Sequence, residues 1–178
     1  ADIFAGATVV EAGVGSGALS MALVRAGAEV TGYEIREDFA ANARANMARF
    51  LGAEAAARYR VESRDVYEGI EERGLDRIVL DLPEPWRVVK HAEAALAQGG
   101  ILLAYLPSIT QVARLREALA DSSFAMAESL EVLLRTWHVE GQAVRPDHRM
   151  VAHTGFLTSA RLLGGGTETP EAAVGVAP

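Results

Sequence analysis

Short apolar, β-branched runs alternate with amphipathic stretches along most of this chain, and that alternation predicts a doubly wound parallel sheet. The apolar runs place strands at Thr8–Glu11, Glu29–Glu34, Tyr59–Ser63, Arg77–Asp81 and Gly100–Pro107. Between them, Ala18–Ala26, Glu37–Leu51, Trp86–Leu96 and Ile109–Ala120 read as helices. Leu19, Ala22, Leu23 and Ala26 repeat at i, i+3, i+4 and i+7, and Val112, Leu115 and Leu119 share one face in the same way. Gly99-Gly100 reads as a helix terminator. After Asp121-Ser122-Ser123 the pattern changes to two long β stretches, Met126–Val139 and Met150–Leu163. Their link, through Glu140-Gly141-Gln142 and Arg145-Pro146-Asp147, contains no helix and so predicts an antiparallel pair. Periodicity stops at Gly164, and 164–178 is expected to be a flexible tail.

With 178 residues, half of them hydrophobic, the chain can bury the core of one α/β domain. It contains no apolar run of the roughly 18 residues that a membrane helix needs, and no secretory leader opens it, so a cytoplasmic protein is expected. Only Asp2–Ala7 and a non-methionine start precede the first strand, and further sequence upstream is expected. The absence of cysteine removes disulfides and thiolate chemistry. His138, His148 and His153 lie in different contexts, and no metal-ligand spacing is present. A net charge of −7 excludes binding of nucleic acid by bulk electrostatics. The balance is local, however: Arg135, Arg145, Arg149 and Arg161 gather with those histidines in the last third, against Glu131, Glu140 and Asp147.

Two strands end in chemically equipped turns. In Val9-Val10-Glu11-Ala12-Gly13-Val14-Gly15-Ser16-Gly17-Ala18-Leu19, three alternate glycines stand where a strand hands over to a helix. They let the backbone approach a ligand with no side chain between. The turn fits the pattern G-x-G-x-x-[GA], and Glu34 lies about twenty residues on, where an acid grips a ribose. A dinucleotide is therefore weighed against S-adenosylmethionine. Three features favour the latter. Glu11, two positions before Gly13, can meet the ammonium of a methionine moiety. Asp65 follows the third strand within reach of an adenine amine, and no second mononucleotide half appears. The closing strand pair also suits a seven-stranded methyltransferase sheet. In the second turn, Asp81-Leu82-Pro83-Glu84-Pro85-Trp86, a carboxylate ends a strand, and Pro83 and Pro85 stiffen the backbone behind it.

These motifs, with Tyr33-Glu34, Arg145-Pro146-Asp147-His148-Arg149-Met150 and His153-Thr154-Gly155-Phe156-Leu157, make the chain similar to the class I methyltransferases. In particular it resembles the catalytic domain of the bacterial and archaeal tRNA (adenine-58-N1)-methyltransferases, from Asp2 to about Leu163. The resemblance implies a Rossmann-like, mostly parallel seven-stranded sheet with an antiparallel last strand. It implies S-adenosylmethionine held by Glu11, Gly13, Gly15, Ser16, Gly17, Ala18 and Leu19, with Ser16 to Leu19 at the methionine and sulfonium. Glu34 would hold the ribose, Phe39 would lie near the adenine, and Asp65 and Val66 would complete the adenine site.

Asp81 would serve both cofactor and substrate as the catalytic carboxylate. Trp86, Tyr105 and Arg145 are candidate substrate contacts; their alternatives are core packing for the two aromatics and a stiff turn for the arginine. Members also carry a small N-terminal β domain, which 1–163 does not include, and assemble as tetramers on tRNA. Two other readings stay open: a precorrin-type small-molecule methyltransferase, and a non-catalytic tRNA-binding partner subunit.

Overall fold

The computed structural model describes residues 1–150 and 155–164. Among the described residues, nine strands and four α-helices follow the expected alternation. They are β1 (Thr8–Ala12), α1 (Ala18–Arg25), β2 (Glu29–Tyr33), α2 (Glu37–Ala56), β3 (Tyr59–Glu62) and β4 (Leu75–Asp81), then α3 (Val89–Ala95), β5 (Leu96–Leu106), α4 (Ile109–Ala120), β6 (Phe124–Glu131), β7 (Trp137–Glu140), β8 (Ala143–Pro146) and β9 (Phe156–Leu162). Seven strands form one sheet in the order β3-β2-β1-β4-β5-β9-β6, and β7 and β8 form a separate pair. The first five sheet strands pair in parallel, whereas β9 runs antiparallel between β5 and β6.

Strand order reverses beside β1: the chain winds outward to β2 and β3, then returns to place β4 on β1's other side. Loops after β1 and β4 diverge at such a switch point and leave a crevice at the carboxyl ends of the strands. The sheet is buried on both faces, as parallel sheets require. Val10, Ala12, Ile78, Leu80, Leu102 and Ala104 pack with α3 and α4 residues such as Val89 and Leu115. On the opposite face Val9, Val30 and Val79 pack with Leu23 and Val24 of α1 and Met47 of α2.

The structure corrects four expectations. Gly99 and Gly100 do not end a helix; they lie within β5, where the register with β4 slips between Leu75 and Arg77. Gly99 has φ +81, and a Cβ on Gly100 would meet the Leu75 carbonyl oxygen at 3.1 Å, so the glycines serve a bulge rather than a cap. The helix expected over 86–96 opens instead as a 3-10 turn, Pro85–Val88, before α3. α2 continues past Leu51, through a non-helical Gly52 with φ 82 and ψ 174. Finally, the long stretch Met126–Val139 is divided: β6 ends at Glu131, and β7 joins β8 in a hairpin across Gly141. The antiparallel closure itself holds, through β6 and β9. His153, Thr154 and the tail from 165 lie outside the described residues.

That hairpin leaves and re-enters the sheet where Glu131, Phe156 and Leu106 stand side by side, which is the carboxyl edge of β5. One of its faces carries Trp137, Val139, Val144 and Pro146, and the other carries His138, Glu140, Ala143 and Arg145. Trp137, Val139 and Val144 are exposed.

Candidate active site

Side chains alternate across a strand, so register determines which residues share a face at the carboxyl edge. Glu11 pairs with Gly32 and with Val79, and Asp81 pairs with Tyr105. One step beyond Ala12, Gly13 falls between Glu34 and Asp81. Glu34, Gly13, Asp81 and Tyr105 therefore form a row across β2, β1, β4 and β5, on the face covered farther down by α1 and α2.

The glycine turn is shaped by close approaches. A Cβ on Gly13 (φ +85) would stand 2.1 Å from the Asp81 carbonyl oxygen, and one on Gly17 (φ +82) would stand 3.1 Å from Ala43 Cβ of α2. Gly15 (φ +55) differs: nothing lies within 4 Å of its Cβ position, so the space above it is open. This turn fits an adenosyl group, because bare backbone borders an open volume at the start of α1. Asn46 of α2 steadies the turn by donating from Nδ2 to the Ser16 carbonyl at 3.0 Å. Ser16, Ala18 and Leu19 remain exposed along its rim.

Glu34 is buried, yet its carboxylate is arranged by the turn. Oε2 accepts from the Gly15 N–H and Oε1 from the Arg36 N–H, each at 3.0 Å. It borders a cleft of about 140 Å³ with Gly13, Ile35, Asp65, Val66 and Leu82. Asp65 accepts from the Tyr67 N–H at 2.9 Å, an Asx turn that fixes the loop after β3. Tyr67 ties that loop to the Asp81 turn, since its hydroxyl accepts from the Glu84 N–H at 3.2 Å. Gln111 of α4 donates to the Pro83 carbonyl at 2.9 Å and holds the same turn from the other side. Partial burial raises the Asp81 carboxyl above its ordinary range. A larger groove, about 330 Å³, lies at the amino ends of the strands near Thr8, Glu29 and Arg58, away from every glycine of the turn.

Gly13, Glu34, Asp65 and Val66 line one cleft, the Asp81 backbone lies against Gly13, and Tyr105 stands beside Asp81. Four expected contacts, Glu11, Phe39, Trp86 and Arg145, lie outside the cleft. Glu11 is 1% exposed and points between β1 and α1, where its Oε2 accepts from Ser20 Oγ at 2.5 Å. α1 and the sheet cover its carboxylate there. Phe39 is half-buried under the Arg36 guanidinium, 3.8 Å from its ring centre. Trp86 packs against the core, and Arg114 stacks on it at 4.4 Å, which is the packing alternative. Arg145 is exposed on the hairpin. Ser20, Tyr59, Asn46 and Tyr67 had no sequence signal, because their partners lie far along the chain.

Burial, opposed by the Ser20 bond and reinforced by Asp81, pushes Glu11 up from 4.5 to about 7. An acid raised on folding binds its proton more tightly in the native state, so its contribution is most favourable below pH 4.5 and is lost as pH rises through about 7. Glu11→Gln should therefore stabilise the ligand-free protein at pH 8, by at most about 3 kcal/mol, and change little at pH 4. Thermal melts at the two pH values check this; equal shifts at both would contradict it.

Solved structures share this architecture, which is that of the class I methyltransferases. A SAM-dependent O-methyltransferase of Thermotoga maritima superposes with a TM-score of 0.85 at 32% identity, covering 94% of this chain and 63% of that one. The tRNA (m1A58) methyltransferase TrmI of Aquifex aeolicus gives 0.77 at 29%, covering 89% and 63%. The chain belongs to the family described as tRNA methyltransferase complex GCD14 subunit, whose model matches residues 1–145. A curated relative, the tRNA (adenine(57)-N(1)/adenine(58)-N(1))-methyltransferase TrmI of Methanocaldococcus jannaschii, is 38% identical over 188 residues, covering 91% of this chain and 67% of its own length. The chain thus spans about two thirds of the proteins it matches. Among the described residues no helix is long and apolar enough to cross a membrane, and no group of acidic or histidine side chains could hold a metal ion.

Proposed function

We propose that residues 1–163 form the catalytic domain of an S-adenosylmethionine-dependent tRNA methyltransferase acting on N1 of adenine 58. The observation that carries this reading is the row Glu34–Gly13–Asp81–Tyr105 beside an open glycine turn, in a chain of this family. Gly13, Gly15 and Ser16 to Leu19 would face the methionine end, Glu34 the ribose, and Asp65 and Val66 the adenine. The cofactor, when bound, supplies an electrophilic methyl group on a sulfonium.

Adenine N1 carries a lone pair in the neutral base, so no proton is removed before attack. Positive charge then develops in the ring and on its exocyclic amine. A carboxylate accepting from that amine binds the transition state more tightly than the ground state, and Asp81, at the end of β4, would be that carboxylate. Pro83, Pro85 and the Gln111 bond hold it in place. Tyr105 would stand beside it, since the two pair across β4 and β5.

The target adenine in a folded tRNA must be taken out of its stack, at a cost of a few kcal/mol. A surface that grips RNA is hard to build on a monomer of charge −7. We infer a cytoplasmic homotetramer in which the β7–β8 hairpins, with Arg145, border a shared cleft at the carboxyl edge. The exposed apolar face of Trp137, Val139 and Val144 supports burial between subunits, because an isolated hairpin is marginally stable in water. A single monomeric species in analytical ultracentrifugation would oppose this.

S-adenosylhomocysteine should raise the melting temperature, since a ligand that binds only the native state stabilises it. Glu34→Ala should weaken that ligand by about 1.5–3 kcal/mol, the cost of losing hydrogen bonds to a charged group. An unchanged dissociation constant by calorimetry would remove Glu34 from the ribose site.

A further inference from the structure

Beneath the glycine turn lies a buried chain of oxygen atoms that the reading above does not use. Glu11 Oε2 meets Ser20 Oγ of α1, and Ser20 Oγ lies 3.1 Å from the Tyr59 hydroxyl at the start of β3. Glu11 Oε1 has no partner among the described residues, although it is buried. A buried carboxylate with one oxygen unpaired is costly, whereas the neutral acid leaves far less charge unsolvated.

Among the described residues, the groups facing Glu11 do not supply a compensating cation. Asp81 approaches from β4 and is negative; Ser20 and Tyr59 are hydroxyls from α1 and β3. Tyr59 in turn feels Arg44 of α2 and Glu34 just after β2, but the Arg44 guanidinium is occupied by the Val61 carbonyl. Burial also pushes the Tyr59 hydroxyl up to about 12, so it stays protonated and can pass a proton without losing one.

We infer that Glu11 is a positioning residue that gives up its proton when a cationic adenosyl ligand settles on the glycine turn. The proposal rests on the cofactor reading above. Burial first, and the Asp81 charge after it, disfavour the ionised Glu11, and the ligand's positive charge entering beside Asp81 lowers that cost. Glu11 Oε2–H then passes its proton to Ser20 Oγ, Ser20 passes its own to Tyr59, and Tyr59, a part-buried residue that lines the groove at the amino ends of the strands, releases one to solvent. Three O–H bonds break and two form within the chain, and the third proton is taken up by the buffer. The ionised Glu11 accepts from Ser20 and so fastens the first turn of α1 to β1 under the ligand. Affinity for the cofactor must rise with pH, because binding releases a proton.

Calorimetric titration with S-adenosylmethionine at pH 6, 7 and 8, in buffers of differing ionisation enthalpy, counts that proton. The ligand's own ammonium titrates alike in every protein tested, so the difference from Glu11→Gln isolates Glu11. Near pH 7 the unsubstituted protein should release about half a proton more than Glu11→Gln, and its affinity should gain up to about tenfold more between pH 6 and 8. Ser20→Ala removes the bond that favours the ionised form and should move the release to higher pH, which keeps the inference testable if Glu11→Gln does not fold. Equal proton counts in the unsubstituted protein and Glu11→Gln, or no movement in Ser20→Ala, would overturn the inference while leaving the cofactor reading intact. No binding at any pH would overturn both.

Discussion

Asp81→Asn should lower single-turnover methyl transfer from S-adenosylmethionine to tRNA by roughly 10²- to 10³-fold, the range for removing one preorganised electrostatic group. The amide keeps the shape of the side chain and loses the charge that answers positive charge developing on the adenine amine. Asp81 ends β4 beside Tyr105, on a turn held by Gln111 and by the Tyr67–Glu84 bond, so the substitution leaves its surroundings in place. Cofactor and tRNA affinities should change much less than the rate. Rapid-quench measurement at saturating enzyme separates the two effects. A preserved rate with lowered stability would assign Asp81 to the fold of the turn.

Gly13→Ala should abolish cofactor binding and destabilise the protein by roughly 2–5 kcal/mol, from overpacking and from a left-handed backbone at a residue with a Cβ. The added atom would stand 2.1 Å from the Asp81 carbonyl oxygen, a backbone group that cannot swing away, at φ +85. Gly15→Ala is the matched control: its Cβ meets nothing within 4 Å, so only the backbone term of about 1–2 kcal/mol remains. Thermal denaturation of the two variants reads the difference. Equal stabilities would mean that the contact of β1 with the Asp81 turn is not as tight as the geometry states.

Much of this arrangement was legible in the residues. The alternation of strands and helices gave the parallel sheet because each run carries its own periodicity, and Glu34 and Asp81 were visible because each ends an apolar run. What the pattern could not carry is contact between distant positions. Glu11 reads as a ligand contact by its spacing from Gly13, yet register turns its side chain under α1 towards Ser20. Trp86 was ambiguous and Gly99-Gly100 read as a helix end for a related reason: whether an aromatic packs inward or a glycine pair serves a bulge depends on the neighbouring strand. The β7–β8 hairpin was hidden because an exposed strand with apolar residues on one face looks, in sequence, like a continuation of β6.

The central claim is methyl transfer to N1 of an adenine in tRNA, and it is tested most directly by following the label. The protein is incubated with S-adenosylmethionine tritiated on the methyl group and bulk tRNA lacking the modification, and the RNA is digested to nucleosides. The account predicts radioactivity in 1-methyladenosine, lost when adenine 58 is replaced in a single tRNA transcript. Label in a ribose-methylated or other base-methylated nucleoside, or none in RNA from a protein that binds S-adenosylhomocysteine, would contradict it.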